Sequence, residues 1–267
     1  MDVAANIASN LATNMAPGIS SAPNMSDGVN AILESEAQAV AGRWYEWWHS
    51  AKGVGLSTPT MARSWQGQRQ NIVLVASTVV PPAYGVIGGV MGDAPLLSTV
   101  GNGSGTAASM ISTVDARIAA AFPASCRPYI AAYFRSKSAS ATVTSVSLLS
   151  GGTARVSVRK TSVHRLSGLG GLASGNINSL SANDAYVNNE VMLQEQLYDG
   201  SNVIMLKNRV AADTDAGTGD LASAADNVRI GVSDGANDDY GLIVAASWVP
   251  SDAAKNAIQA YAVVEFS

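Results

Sequence analysis

Along the last eighty residues, short apolar runs alternate with turn signals rather than with long helical patterns. Glu190–Leu197 leads into Tyr198-Asp199-Gly200-Ser201-Asn202, and Val203-Ile-Met-Leu206 follows at once. Asp-Gly between two apolar runs predicts a hairpin, because glycine accepts the positive φ of a tight turn. In the run from Asn227 to Val232, Val228, Ile230 and Val232 fall on one side and Asn227, Arg229 and Gly231 on the other. That period of two is the signature of a half-buried antiparallel strand. After a loop through Asp234-Gly235, a further apolar run spans Gly241–Trp248. The pattern predicts a mainly β protein built as an antiparallel β-sandwich.

Earlier segments add a helix and more strands. Residues 1 to about 26 are rich in Ala, Asn, Ser, Pro and Gly and have little periodicity, which reads as an arm ordered by a partner. Ser26-Asp27 offers a cap for a helix from Val29 to Trp48, with Val29, Ile32, Leu33, Ala37 and Val40 as its apolar stripe. The aromatic segment Trp44–Trp48 holds three of the five tryptophans. Core packing is the favoured reading there; a sugar-stacking platform is the sharper alternative. Strands are predicted at Met61–Gln66, Ile72–Val80, Ala83–Val90, Arg127–Arg135, Ala141–Leu149 and Thr153–Lys160, the last two joined by a turn at 150–152. Thr99–Thr106 and Ser167–Ser181 read as Gly-rich loops. Pro250-Ser251-Asp252 caps a short helix, Ala253–Tyr261, before a final strand, Ala262–Phe266.

Composition narrows the function classes. With 267 residues the chain can bury about three quarters of its unfolded surface. Charged residues make up only 13%, and small residues abound, which suits packed strands and subunit contacts, so a homo-oligomer is expected. A net charge of −4 argues against nucleic acid as the main partner. Cys126 is the single cysteine, which removes disulfide frameworks and cysteine-based zinc sites. The uncharged stretch Ile72–Met91 is broken by Pro81-Pro82 and three glycines, so two short strands fit better than a membrane span.

The order of these pieces resembles the concanavalin A-like, laminin-G-like jelly roll of phage surface proteins. Ser64-Trp65-Gln66-Gly67-Gln68-Arg69 is similar to that family's Ser-Trp-x-Asp-x-Ser turn, with Gln and Arg replacing the usual polar residues. Pro82-Ala83-Tyr84 resembles its Pro-x-Tyr, and Leu197-Tyr198-Asp199-Gly200 its Tyr-Asp-Gly hairpin. Asn227-Val-Arg-Ile-Gly, Leu242-Ile-Val and the closing helix with Tyr261 follow in matching order. The resemblance covers residues 40–267. It implies a virion surface component such as a head spike of a gene transfer agent, a decoration protein or a tail spike. Its expected partners are other virion proteins and host cell-surface polysaccharide, on a particle assembled in the host cytoplasm. Residues 1–40 are the expected attachment arm and helix, and 41–267 the sandwich. A purely architectural spike base and a free lectin-like module are the alternatives.

No catalytic constellation stands out, and the expectation is a non-enzyme. The six glutamates form no Glu-x-Asp-x-(x)-Glu strand of the kind that retaining glycosidases need. His49 and His164 stand alone in sequence. Arg155 and Arg159 should share one strand face, with Lys160, His164 and Arg165 extending a basic patch for an acidic polysaccharide. Edge protection is the plainer reading of that strand. The acidic loop with Asp234, Asn237, Asp238 and Tyr240 is the second glycan-binding candidate. No cofactor is expected. Asp213, Asp215 and Asp220 are weak candidates for calcium, since Ala224 stands where a calcium loop would place its bidentate Glu.

Overall fold

A computed structural model describes residues 22–76, 81–86, 91–99, 108–137, 143–161, 164–232 and 238–266. Helix α1 (Ala22–Ala39) precedes β1 (Tyr45–His49), β2 (Val54–Thr58), β3 (Met61–Gln66), β4 (Val73–Ala76), β5 (Ala83–Val86), β6 (Pro95–Ser98) and β7 (Met110–Ser112). A short helix, α2 (Ala116–Ala121), leads to β8 (Tyr129–Ser136), β9 (Val143–Ser150), β10 (Thr153–Lys160), β11 (Leu166–Leu172) and β12 (Gly175–Leu180). The chain continues through β13 (Val191–Tyr198), β14 (Asn202–Lys207), β15 (Val210–Ala216), β16 (Asn227–Val232) and β17 (Asp238–Ala246), and closes with α3 (Asp252–Glu265).

Pairing divides the strands into two antiparallel layers. The first runs β1-β17-β8-β13-β14-β15. The second runs β12-β11-β10-β9-β16-β7-β4-β3-β2. The β3–β5–β6–β17 pairings connect the layers, so the seventeen strands among the described residues share one hydrogen-bonded network. Period-two alternation sends Ile130, Ala132 and Phe134 of β8 inward against Val156 and Val158 of β10 and Val228 and Ile230 of β16. The opposite side chains of the first layer, including Tyr129, Tyr133, Leu193 and Val244, form a second apolar cluster beneath α1 and α3. Strands β1, β17, β8 and β13 of the first layer are therefore buried on both faces, whereas β15 at its edge is largely exposed.

The helices are bolted to that layer. Leu33 and Ala37 of α1 and Ile258, Tyr261 and Ala262 of α3 enter the outer cluster. Glu34 binds the Arg69 guanidinium at 2.6 and 2.8 Å, and Glu36 accepts from the Trp248 indole at 3.0 Å. The boundary drawn at residue 40 thus runs through a shared apolar cluster. Of the expected arm, residues 1 to about 26, positions 1–21 lie outside the described residues, and the rest belongs to α1.

The sequence anticipated several elements closely. Met61–Gln66 and Thr153–Lys160 are strands over those bounds. Gly151 and Gly152, at φ 53° and 83°, form the turn between β9 and β10. Asp199 and Gly200 (φ 101°) close the β13–β14 hairpin, with Asp199 accepting from the Ser201 and Asn202 amides at 2.8 and 2.7 Å. Ser251 caps α3 by accepting from Ala254 N.

Three expectations are corrected. The helix does not begin after a Ser26-Asp27 cap or reach Trp48: it spans Ala22–Ala39, and Tyr45–His49 is a wholly buried strand. A strand covered on both faces loses its polar alternation and reads like a helix segment. All five tryptophans are buried, in keeping with the favoured reading of the aromatic segment as core and against the sugar platform. Ser167–Ser181 is the β11–β12 hairpin rather than a loop. Its glycines answer packing: a Cβ on Gly168 would run into Gln196, and one on Gly170 would come within 2.6 Å of Val203. Finally, Ala262–Glu265 continues α3. There Val263 and Val264 face outward while Tyr261, Ala262 and Phe266 face the core. The predicted ends 77–80, 87–90 and 141–142, together with the loop from 100 to 106, lie outside the described residues. No helix among the described residues is long and apolar enough to cross a membrane.

Candidate functional site

Three of the predicted glycan contacts converge, but inside the sandwich. Lys160, Asp238 and Tyr240 are all 0% exposed. The Lys160 ammonium, from the second layer, pairs with Asp238 of the first and donates to Lys137 O at 2.6 Å. The other Asp238 oxygen accepts from Ser145 Oγ at 3.0 Å and Tyr240 OH at 3.3 Å. Burial pulls the Lys160 amine down, against the opposing pull of Asp238. These residues clamp the layers together and do not reach a surface ligand. Parity explains the outcome, since Lys160 shares the inward face of Val156 and Val158. Asp234 and Asn237 lie outside the described residues.

Arg155 and Arg159 do share the opposite, outward face. Strand β10 is not an edge, because β9 and β11 flank it, so edge protection does not account for the arginines. Arg155 Nε donates to Ser223 Oγ at 2.8 Å, and Arg159 Nη1 lies 3.5 Å from Asn178 Oδ1. Burial lowers the Arg159 guanidinium's hold on its proton, and its Nε has no partner. His164 and Arg165 sit apart at the β10–β11 connection, engaged with Asn188 at 3.3 Å and with Asn183.

Strand register extends this face across the whole second layer. Directly paired residues share a face, and one such row reads Gly55, Ser64, Val75, Ile111, Arg229, Ser147, Ser157, Leu169 and Asn178. Arg229 thus joins Arg155 and Arg159 on one surface. Among the described residues, none of the three has a carboxylate within ion-pair distance. Beneath them, the Ser147 and Ser157 hydroxyls and Asn227 Oδ1 are buried without partners. To one side lie Val73 and Val75, 41% and 44% exposed, with Ile111. Among the described residues no helix covers this face, in contrast to the first layer. Guanidinium groups beside a small aliphatic strip can hold an anionic ligand that also carries an apolar group.

The acidic candidates are dispersed. Asp213 and Asp215 lie in β15, where Asp213 accepts from Leu180 N at 2.5 Å, and Asp220 faces Arg127 at 3.5 Å. Burial and the neighbouring Asp213 push the Asp215 carboxyl up. Among the described residues no three metal-ligating side chains converge. Cys126 is buried, its thiol pushed up to about 12 by desolvation, which removes thiolate character.

The layered architecture matches solved structures. This chain is a jelly-roll β-sandwich. The binding domain of botulinum neurotoxin DC in complex with rat synaptotagmin II superposes with a TM-score of 0.57 at 11% identity, over 79% of this chain and 52% of that one. A crystal structure of a receptor binding domain gives 0.57 at 10% identity, over 88% and 52%. A structure tied to botulinum neurotoxin type C, whose cell entry depends on interaction with two ganglioside molecules, gives 0.50 at 12% identity, over 76% and 51%. The sandwich spans about half the length of these structures, and at such identities the likeness is one of fold. No protein-family model and no curated protein matches the sequence.

Sequence reasoning missed Arg229 as a partner of Arg155 and Arg159. Alternation in Asn227–Val232 already placed it on the polar side of its strand. What was hidden is that β16 pairs with β9, with Arg229 opposite the distant Ser147, and that β9 pairs in turn with β10.

Proposed function

We propose that this chain is a non-catalytic, carbohydrate-binding sandwich displayed on a phage-like particle, with its N-terminal segment as tether and its bare face turned to host cell-surface polysaccharide. The carrying observation is that Arg155, Arg159 and Arg229 share one sheet face that, among the described residues, no helix covers and no carboxylate pairs. An uncompensated cluster of guanidinium groups is unfavourable unless an anion completes it. Two further points support the reading. The related solved structures are binding domains, one of them tied to gangliosides. The helices that receive the chain's beginning occupy the opposite face of the molecule, which suits a tether behind and a reading surface in front.

The test has two arms. Purified full-length chain on a glycan array should retain acidic polysaccharides at low salt and lose them as salt rises. Retention of no glycan under any condition overturns the binding role. Deleting residues 1–21, which spares the Glu34 and Glu36 contacts, should leave a folded sandwich that no longer joins particles; normal incorporation overturns the tether.

A further inference from the structure

We infer that the bare face recognises an acidic sugar carrying an acyl group, with Arg229 receiving the carboxylate and the neighbouring valines and isoleucine receiving the acyl methyl. This rests on the carbohydrate-binding reading above. Arg229 stands where two kinds of surface meet. On one side its cross-strand neighbour is Ile111, followed by Val75; on the other it is Ser147, followed by Ser157. Neighbouring strands lie about 4.8 Å apart, so Val75 and Ser157 are separated by roughly 19 Å across four such steps, with Arg229 midway.

Charge argues for a carboxylate. The described acid nearest in sequence, Asp226, turns Oδ2 to Gly151 N at 3.4 Å and buries Oδ1 without a partner, and it makes no ion pair with Arg229. The Ser147 and Ser157 hydroxyls and Asn227 Oδ1 lie buried and unpartnered beneath the arginines, so they keep the floor of this face polar without adding a competing charge. The apolar strip argues for acylation. A pyranose ring is usually held by a flat aromatic face, yet every tryptophan is buried. What this face exposes instead is aliphatic and narrow, a match for a methyl group.

The experiment measures binding of the full chain to hyaluronan and to polymeric N-acetylneuraminic acid, each intact, carboxyl-reduced and N-deacetylated, with dextran and a sulfated glycan beside them. Intact polymers should bind at least tenfold more tightly than carboxyl-reduced ones, and deacetylation should weaken binding several-fold. Arg229→Ala should cost tenfold or more and Arg229→Lys nearly as much, because a lysine cannot make the bidentate contact. Val75→Ser with Ile111→Ser should abolish only the preference for acetylated polymer. Far-UV circular dichroism checks that each variant is folded. Equal binding of carboxyl-reduced polymer, equal binding of the sulfated glycan, preference for neutral glycans, or an indifferent Arg229→Ala overturns this inference and leaves the carbohydrate-binding reading standing. Failure of every glycan overturns both.

Discussion

Gly67 packs against the carboxylate of Glu46: a Cβ there would lie 2.7 Å from Glu46 Cγ and closer still to the carboxyl atoms. Glu46 is wholly buried and accepts from four backbone amides, those of Trp47, Arg69, Gln70 and Ile72, at 2.7–3.1 Å. Burial pushes its carboxyl up while those donors pull it back down. The turn that resembles a phage-protein motif is thus a cradle for one carboxylate.

Gly67→Ala should therefore lower stability by about 2–4 kcal/mol through overpacking. Glu46→Gln should cost about 1–3 kcal/mol, since one amide NH2 would face backbone N–H groups. Urea unfolding measures both. A Gly67→Ala chain as stable as the parent would show that the loop has room to move.

The Lys160–Asp238 clamp invites a double-mutant cycle. Lys160→Met leaves a buried carboxylate without its cation, expected to cost about 3–5 kcal/mol. Adding Asp238→Asn should restore part of that loss. Both variants, where folded, should keep the parent's glycan affinity, because neither side chain is exposed. Additive effects in the cycle would rule out direct coupling across the layers.

His49 gives the fold a pH signature. Its ring is buried beneath α3, stacked on Phe266 with centroids 5.1 Å apart, and Nδ1 accepts from Ala51 N at 3.0 Å. Nε2 faces Glu265 at 3.2 Å. Desolvation first, then Lys52, lowers the imidazole to about 3. Burial pushes Glu265 up, against the opposing pull of Lys52. Below its ordinary value of about 6.5 the unfolded chain gains a proton at this histidine that the folded chain refuses. Stability should fall as pH drops from about 6.5 toward 5, and His49→Gln should flatten that slope. Parallel slopes for the two chains, read by thermal unfolding across that range, would contradict a buried neutral imidazole.

Much of the fold was legible because local chemistry wrote it. Gly151-Gly152, Asp199-Gly200 and Ser251 each act within a few residues of their own position. Burial on both faces was not legible, since the run Trp44–Trp48 carries no periodicity once α1 and α3 cover it. Neither was the role of Gly168 and Gly170, which depends on Gln196 and Val203 some thirty residues away. For the candidate site, parity in β10 separated Arg155 and Arg159 from Val156 and Val158. The same parity sends Lys160 inward, a distinction blurred by grouping basic residues by adjacency.

Strands β5 and β6 carry hydrogen bonds from one layer to the other, so the two sheets are continuous along that edge. If the outward face of the second layer takes saccharide as proposed, it meets the ligand with a sheet surface and not with a deep cleft. Firm attachment would then have to come from repetition, many identical faces engaging many identical saccharide units at once.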